Sequence, residues 1–74
     1  MLQVELFHAN HSLYHGTARQ VVLPGEEGEV SLLDYHAPML CALLPGVVEI
    51  DERRFPIHGG LVRVFRNHVT ILGV

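Results

Sequence analysis

The sequence contains no lysine, and its five arginines form no run longer than Arg53-Arg54. Nucleic-acid backbones are held by clustered positive charge, so nucleic acid is not an expected partner. A single cysteine, Cys41, excludes an internal disulfide. A lone thiol with no activating neighbour reads as a small buried hydrophobe in a reducing compartment, not as a nucleophile. Charged residues make up only 18% of the chain, below the roughly 25% of a typical soluble domain. No apolar run approaches the roughly 18 residues that span a bilayer. No positive-then-apolar leader opens the chain, so no secretory signal is expected. Membrane association is expected only through a partner.

What is present is a short, apolar chain. Seventy-four residues, 49% of them hydrophobic, with a formal net charge of -3, suit one domain over residues 1–74. A domain of this size buries only about 60% of its unfolded surface, so it leans on a disulfide, a metal or a partner for stability. With the disulfide excluded, a partner is the economical choice. High apolar content with few charges points the same way, to apolar surface left outward as an interface.

Polar and apolar residues alternate with period two, and turn signals recur every eight to twelve residues, which predicts an all-β fold. Leu2, Val4 and Leu6 alternate with Gln3, Glu5 and Phe7, and Ala9 to Ser12 reads as a turn. Leu13 to Leu23 reads as one extended stretch with a bulge or bend at Gly16. Pro24 to Gly28 and Asp34 to Pro38 read as loops. The apolar run Met39 to Leu44 predicts a strand covered on both faces. Pro45-Gly46 suggests a turn of type II character, Glu52-Arg53 and Arg66-Asn67 suggest turns, and Gly59-Gly60 allows two backbones to approach closely. The expected architecture is a small two-sheet antiparallel β-sandwich of about eight short strands.

Other chemistries find little support. Six histidines invite a metal, but His8, His11 and His15 share a face only on a helix, and the pattern there is strand-turn-strand. No metal and no cofactor are therefore expected. Ser31, Asp34 and His36 name the members of a catalytic triad, yet they sit on one short segment without a nucleophile elbow. Pro24 to Gly28 carries acids and no lysine, which does not suit phosphate. Tyr14 and Tyr35 are too few for an RNA-stacking platform.

Five pieces, in order and in register, resemble the N-terminal β-sandwich domain of the epsilon subunit of F-type ATP synthases. They are Val21 to Glu29, His36 to Leu40, Leu43 to Ile50, Gly59 to Val64 and Val69 to Leu72. Each piece alone is common, but together they cover some fifty residues. The sequence departs from the family in one region, with Ser31 where glycine is usual and Asp34-Tyr35 where proline-glycine is usual. Family members also continue into a helical hairpin, linked to inhibition of hydrolysis and in some members to ATP binding. The sequence has no counterpart of it, so those roles are not carried over.

The resemblance implies a non-catalytic rotor part at the foot of the central stalk. It would dock on the gamma subunit and touch the c-ring, on the cytoplasmic face of the bacterial inner membrane. By position in the motif, Glu29 and His36 match residues implicated in ring contact. Asp34 and Tyr35 are expected to modify that surface, with Asp34 reinforcing Glu29 and the loop less rigidly specified for want of proline and glycine. Leu61 and Phe65, on a strand apolar on both faces, are expected to look outward toward gamma. A β-sandwich adaptor of another assembly is the alternative.

Overall fold

A computed structural model describes residues 1–74 and contains nine strands and no helix. They are β1 (Leu2–His8), β2 (His11–Ala18), β3 (Val21–Gly25), β4 (Gly28–Leu32), β5 (Met39–Leu43), β6 (Gly46–Ile50), β7 (Arg53–Ile57), β8 (Gly60–Phe65) and β9 (His68–Gly73). Hydrogen bonds join all nine in the order β2-β1-β9-β8-β5-β3-β6-β7, with β4 on β3. The all-β expectation holds. The two layers of the sandwich are one continuous sheet curled over itself, and one pairing, β1 with β9, is parallel.

Alternation builds the core. Leu2, Val4 and Leu6 of β1 turn inward with Val21 and Leu23 of β3, Val48 and Ile50 of β6, Val62 and Val64 of β8, and Val69 and Ile71 of β9. Ala18, Leu32, Leu43 and Ile57 complete a buried set of fifteen that includes no polar side chain. Branched residues at every second position suit a pleated face packed on another such face. Most backbone hydrogen bonding, 40 bonds of 46, lies within the strands, so the curled sheet itself satisfies the chain. The edge strand β7 carries Pro56 with Arg53 and Arg54, which discourages a further strand from adding there.

Several local expectations change. Leu13 to Leu23 is two strands, not one. The break falls at Arg19-Gln20, whose amides both donate to Asp51 Oδ1, at 2.9 and 3.1 Å, while the Asp51 amide donates to the Gln20 carbonyl at 3.0 Å. This cap comes from the β6–β7 turn more than thirty residues away, so no local signal announces it. The bulge falls at Leu13, where the β1–β2 register slips, and not at Gly16. Pro24 and Gly25 belong to β3, which leaves only Glu26-Glu27 as the hairpin turn. The β6–β7 turn is Asp51-Glu52, one residue earlier than expected.

Gly46 has no positive φ, so Pro45-Gly46 is not a type II turn. Glycine is needed there because a Cβ would come within 2.9 Å of Pro24 Cβ. At Gly60 the expected close approach is found: φ is +149°, and a Cβ would lie 2.1 Å from the Leu72 carbonyl oxygen. Arg66 and Asn67 both have positive φ, 49° and 63°, the pattern of a type I′ hairpin.

Candidate docking surfaces

Because β8 buries Val62 and Val64, it turns Leu61, Arg63 and Phe65 outward. Strand register aligns Leu61 with Ala42 of β5 on one side and Leu72 of β9 on the other, and Leu72 with Phe7 of β1. The result is an apolar row across four strands, about 14 Å long at the usual strand spacing. Leu61 is 48% exposed, Leu72 52%, and Leu40, beside the row, 72%. The run Met39 to Leu44 is therefore covered on its inner face only. Its outer face is open in the isolated chain, contrary to expectation, and it adds to the same patch.

Phe65 is also outward and partly exposed, but it is not a bare apolar group. The Arg63 and Arg66 guanidinium groups lie over its ring at 5.5 and 5.3 Å. Such stacking orders both side chains through cation–π attraction while leaving N–H donors free. Neither arginine is paired with a carboxylate: the two ion pairs of the chain are Arg54 with Glu49 and the Met1 ammonium with Asp34. The patch around Leu61 and Phe65 is thus apolar along one row and cationic at one end.

The acidic residues lie elsewhere. Glu26 and Glu27 form the tip of the β3–β4 hairpin, and Glu29 stands exposed on β4 opposite Pro24. Asp34 lies beyond the other end of β4, at most about 17 Å along the chain from Glu29. The structure does not bring the two together. Asp34 Oδ1 instead accepts from the Met1 ammonium at 3.1 Å and from Asn67 Nδ2 at 3.0 Å. The first of these bonds, with the second behind it, holds the Asp34 carboxyl below the usual carboxylate range.

Tyr35 is 90% exposed and His36 half-buried. The Tyr35 amide donates to Asn67 Oδ1 at 2.7 Å, the His36 amide donates to the Leu33 carbonyl at 3.2 Å, and His36 Nδ1 lies 2.7 Å from the Ala37 carbonyl. The loop is thus tied down although Asp34-Tyr35 stand where a proline-glycine pair would preset it. Asn67 was not visible as a site residue in the sequence, where it reads only as a turn former.

No three histidine, cysteine, aspartate or glutamate side chains are grouped as metal ligands. His8 and His11 face each other across the β1–β2 hairpin, and His15 pairs with Glu5. The Cys41 thiol is pushed up first by burial and then by the Glu26 charge, the reverse of an activated nucleophile.

Residues 1–73 match the family model of the ATP synthase delta/epsilon chain β-sandwich domain. The chain belongs to this family. It is 40% identical over 77 residues to the ATP synthase epsilon chain of Halorhodospira halophila, with 96% of the chain and 55% of that protein covered. It is 35% identical over 77 residues to ATP synthase epsilon chain 2 of Burkholderia orbicola, with 96% of the chain and 51% of that protein covered. The chain thus spans about half the length of these relatives. Among solved structures, a cryo-EM structure of the Euglena gracilis mitochondrial ATP synthase (OSCP, F1 and c-ring) contains a chain with the same fold. The TM-score is 0.91 at 21% identity, covering 99% of this chain and 50% of that one. A chain of the Tetrahymena thermophila mitochondrial ATP synthase central stalk and c-ring matches with a TM-score of 0.79 at 19% identity, covering 99% and 63%.

At the departure Asp34-Tyr35, Tyr35 has φ +64°, a conformation that favours glycine. The tyrosine resists this conformation, and the hydrogen bond from its amide to Asn67 Oδ1 holds it in place.

Proposed function

We propose that this domain is a non-catalytic part of the rotor of an F-type ATP synthase. It would lie peripherally at the cytoplasmic face of a bacterial inner membrane and couple ion-driven rotation to ATP synthesis by locking the gamma subunit to the c-ring. The observation that carries this reading is the outward apolar row Phe7, Leu72, Leu61 and Ala42, exposed at Leu61 and Leu72 and half-buried at its ends, on a domain of the delta/epsilon family. A thin-margined domain with an open apolar face is stabilised by a partner that covers it.

Gamma is the proposed occupant of that face. Its contact would combine apolar groups over Leu61 and Leu72 with carboxylates opposite Arg63 and Arg66 beside Phe65, since ordered, unpaired guanidinium groups suit bidentate carboxylates. Ring contact is assigned to Glu29, Tyr35 and His36. Because Glu29 and the 34–36 segment lie at opposite ends of β4, they would touch the ring along a line, not at one point. Asp34 serves that surface by holding the loop, with its Oδ1 occupied by Met1 and Asn67.

Binding to an isolated gamma subunit tests the reading. Leu61→Asp with Leu72→Asp places two charges on the row and is expected to weaken binding by more than 1 kcal/mol, the usual threshold for a significant contact. The β-type circular dichroism should be retained, because neither side chain enters the core. Unchanged affinity in a folded double variant would place gamma elsewhere.

A further inference from the structure

The loop between β4 and β5 has no strand partner; the Met1 ammonium, through Asp34, and one side chain from another part of the fold hold it. Asn67, in the β8–β9 turn, accepts the Tyr35 N–H through Oδ1 at 2.7 Å. Through Nδ2 it donates to Asp34 Oδ1 at 3.0 Å and to the Met1 carbonyl at 3.2 Å. Its own carbonyl accepts the Gln3 amide at 2.8 Å. Three separate points of the chain, the start of β1, the β4–β5 loop and the β8–β9 turn, therefore meet at one amide group.

We infer that Asn67 is the positioning residue of the β4–β5 loop: it fixes Tyr35 in a left-handed conformation and so sets where the Tyr35 ring and His36 stand toward a partner. The residue type is specific to this task. The loop needs an acceptor for an amide and two donors, one for a carboxylate and one for a carbonyl. Within this reach a carboxamide offers all three, where a hydroxyl or a neutral imidazole has a single donor. Asparagine also tolerates the positive φ of 63° that the turn imposes, which most residues do not. The tyrosine backbone at φ +64° resists its own conformation, so the loop stays there only while the surrounding bonds over-determine it. Tyr35 is thereby presented almost fully exposed, as an aromatic ring with a polar tip, a form that anchors protein interfaces. A partner loop carrying an arginine fits it, through stacking on the ring face. The functional consequence rests on the proposal that this loop meets the ring; the positioning itself rests on the hydrogen bonds.

Three variants of the chain separate these parts. Asn67→Gly keeps the positive φ of the turn and removes the side chain. Its β8 and β9 amides should stay protected from hydrogen exchange, while the Tyr35 amide exchanges at least about tenfold faster, since opening no longer breaks its bond. Asn67→Asp sets two carboxylates against each other and should release the loop too. Combining Asn67→Asp with Asp34→Asn exchanges the two groups and restores a donor–acceptor pair, though not the bond to the Met1 carbonyl, and should return Tyr35 protection part-way, above that of Asn67→Asp alone. Unchanged Tyr35 exchange in Asn67→Gly, or no rescue by the exchanged pair, would overturn the positioning role. In reassembled ATP synthase, Asn67→Gly should lower the coupling of hydrolysis to pumping, and the exchanged pair should recover it in part. Faster Tyr35 exchange with intact coupling would uphold Asn67 as the positioning residue and overturn the ring-facing assignment of the loop.

Discussion

Substituting Gly60 with alanine asks how closely β8 and β9 must run beneath the docking row. Gly60 opens β8 and pairs with Gly73, one step from the Leu61–Leu72 pair. Its φ of +149° lies in a region that residues with a side chain rarely adopt, and a new Cβ would sit 2.1 Å from the Leu72 carbonyl oxygen. The conformational strain alone costs about 1–3 kcal/mol. The clash is with backbone, so it is relieved only by parting the strands, and each ladder bond weakened adds about 1 kcal/mol. With one or two bonds weakened, a total of about 2–5 kcal/mol, centred near 3, is expected for Gly60→Ala. Gly28 provides the comparison, because its φ is also positive, +125°, yet a Cβ there meets nothing within 4 Å. Gly28→Ala should therefore show strain alone, about 1–3 kcal/mol, and so less than Gly60→Ala. At about 0.05–0.15 kcal/mol per residue the whole domain is stable by about 4–11 kcal/mol, so the first change removes a large share and the second a smaller one. Urea melts followed by far-ultraviolet circular dichroism read both, since the chain has no tryptophan. With an m-value of about 1 kcal/mol/M, the Gly60→Ala midpoint should fall by about 3 M, or the variant should be unfolded without urea. Equal losses for the two variants, within about 0.5 kcal/mol, would mean that the strands yield freely and that contact with Leu72 does not demand glycine.

The Asp34 carboxyl titrates below its ordinary value of 3.8 in the folded chain, so its ionised form favours the fold, and this contribution fades as pH falls through that lowered value. The stability gap between the parent and Asp34→Asn should accordingly be present at neutral pH and shrink on acidification below about pH 4; a gap constant over that range, in thermal melts, would refute the pairing. Cys41 should alkylate more slowly in the folded chain than in urea at mildly alkaline pH, because burial disfavours the thiolate, and Glu26→Gln should raise the folded rate only modestly. If the folded thiol reacts as fast as the unfolded one, the shielding is absent. Glu29→Arg should reduce coupling in reassembled enzyme at low salt, with a smaller effect at high salt where exposed pairs are screened; normal pumping at low salt would leave Glu29 as a solvated side chain.

Alternation alone determined that this chain is all-β and that Val62 and Val64 point one way and Leu61 and Phe65 the other. Those features are local, since period two and turn chemistry are written in consecutive residues. The family, too, was legible in five short motifs. Tertiary structure decided what depends on distant residues. It split Leu13 to Leu23 into two strands because Asp51 caps the break at Arg19-Gln20. It aligned Phe7, Leu72, Leu61 and Ala42 into one row through a parallel β1–β9 pairing that nothing in either strand announces. It bound Asp34 to Met1 and Asn67, where the family resemblance had suggested that Asp34 reinforces Glu29. Which side chains lie inward follows from the strand's own period, whereas which strands lie side by side follows from the closure of the whole sheet.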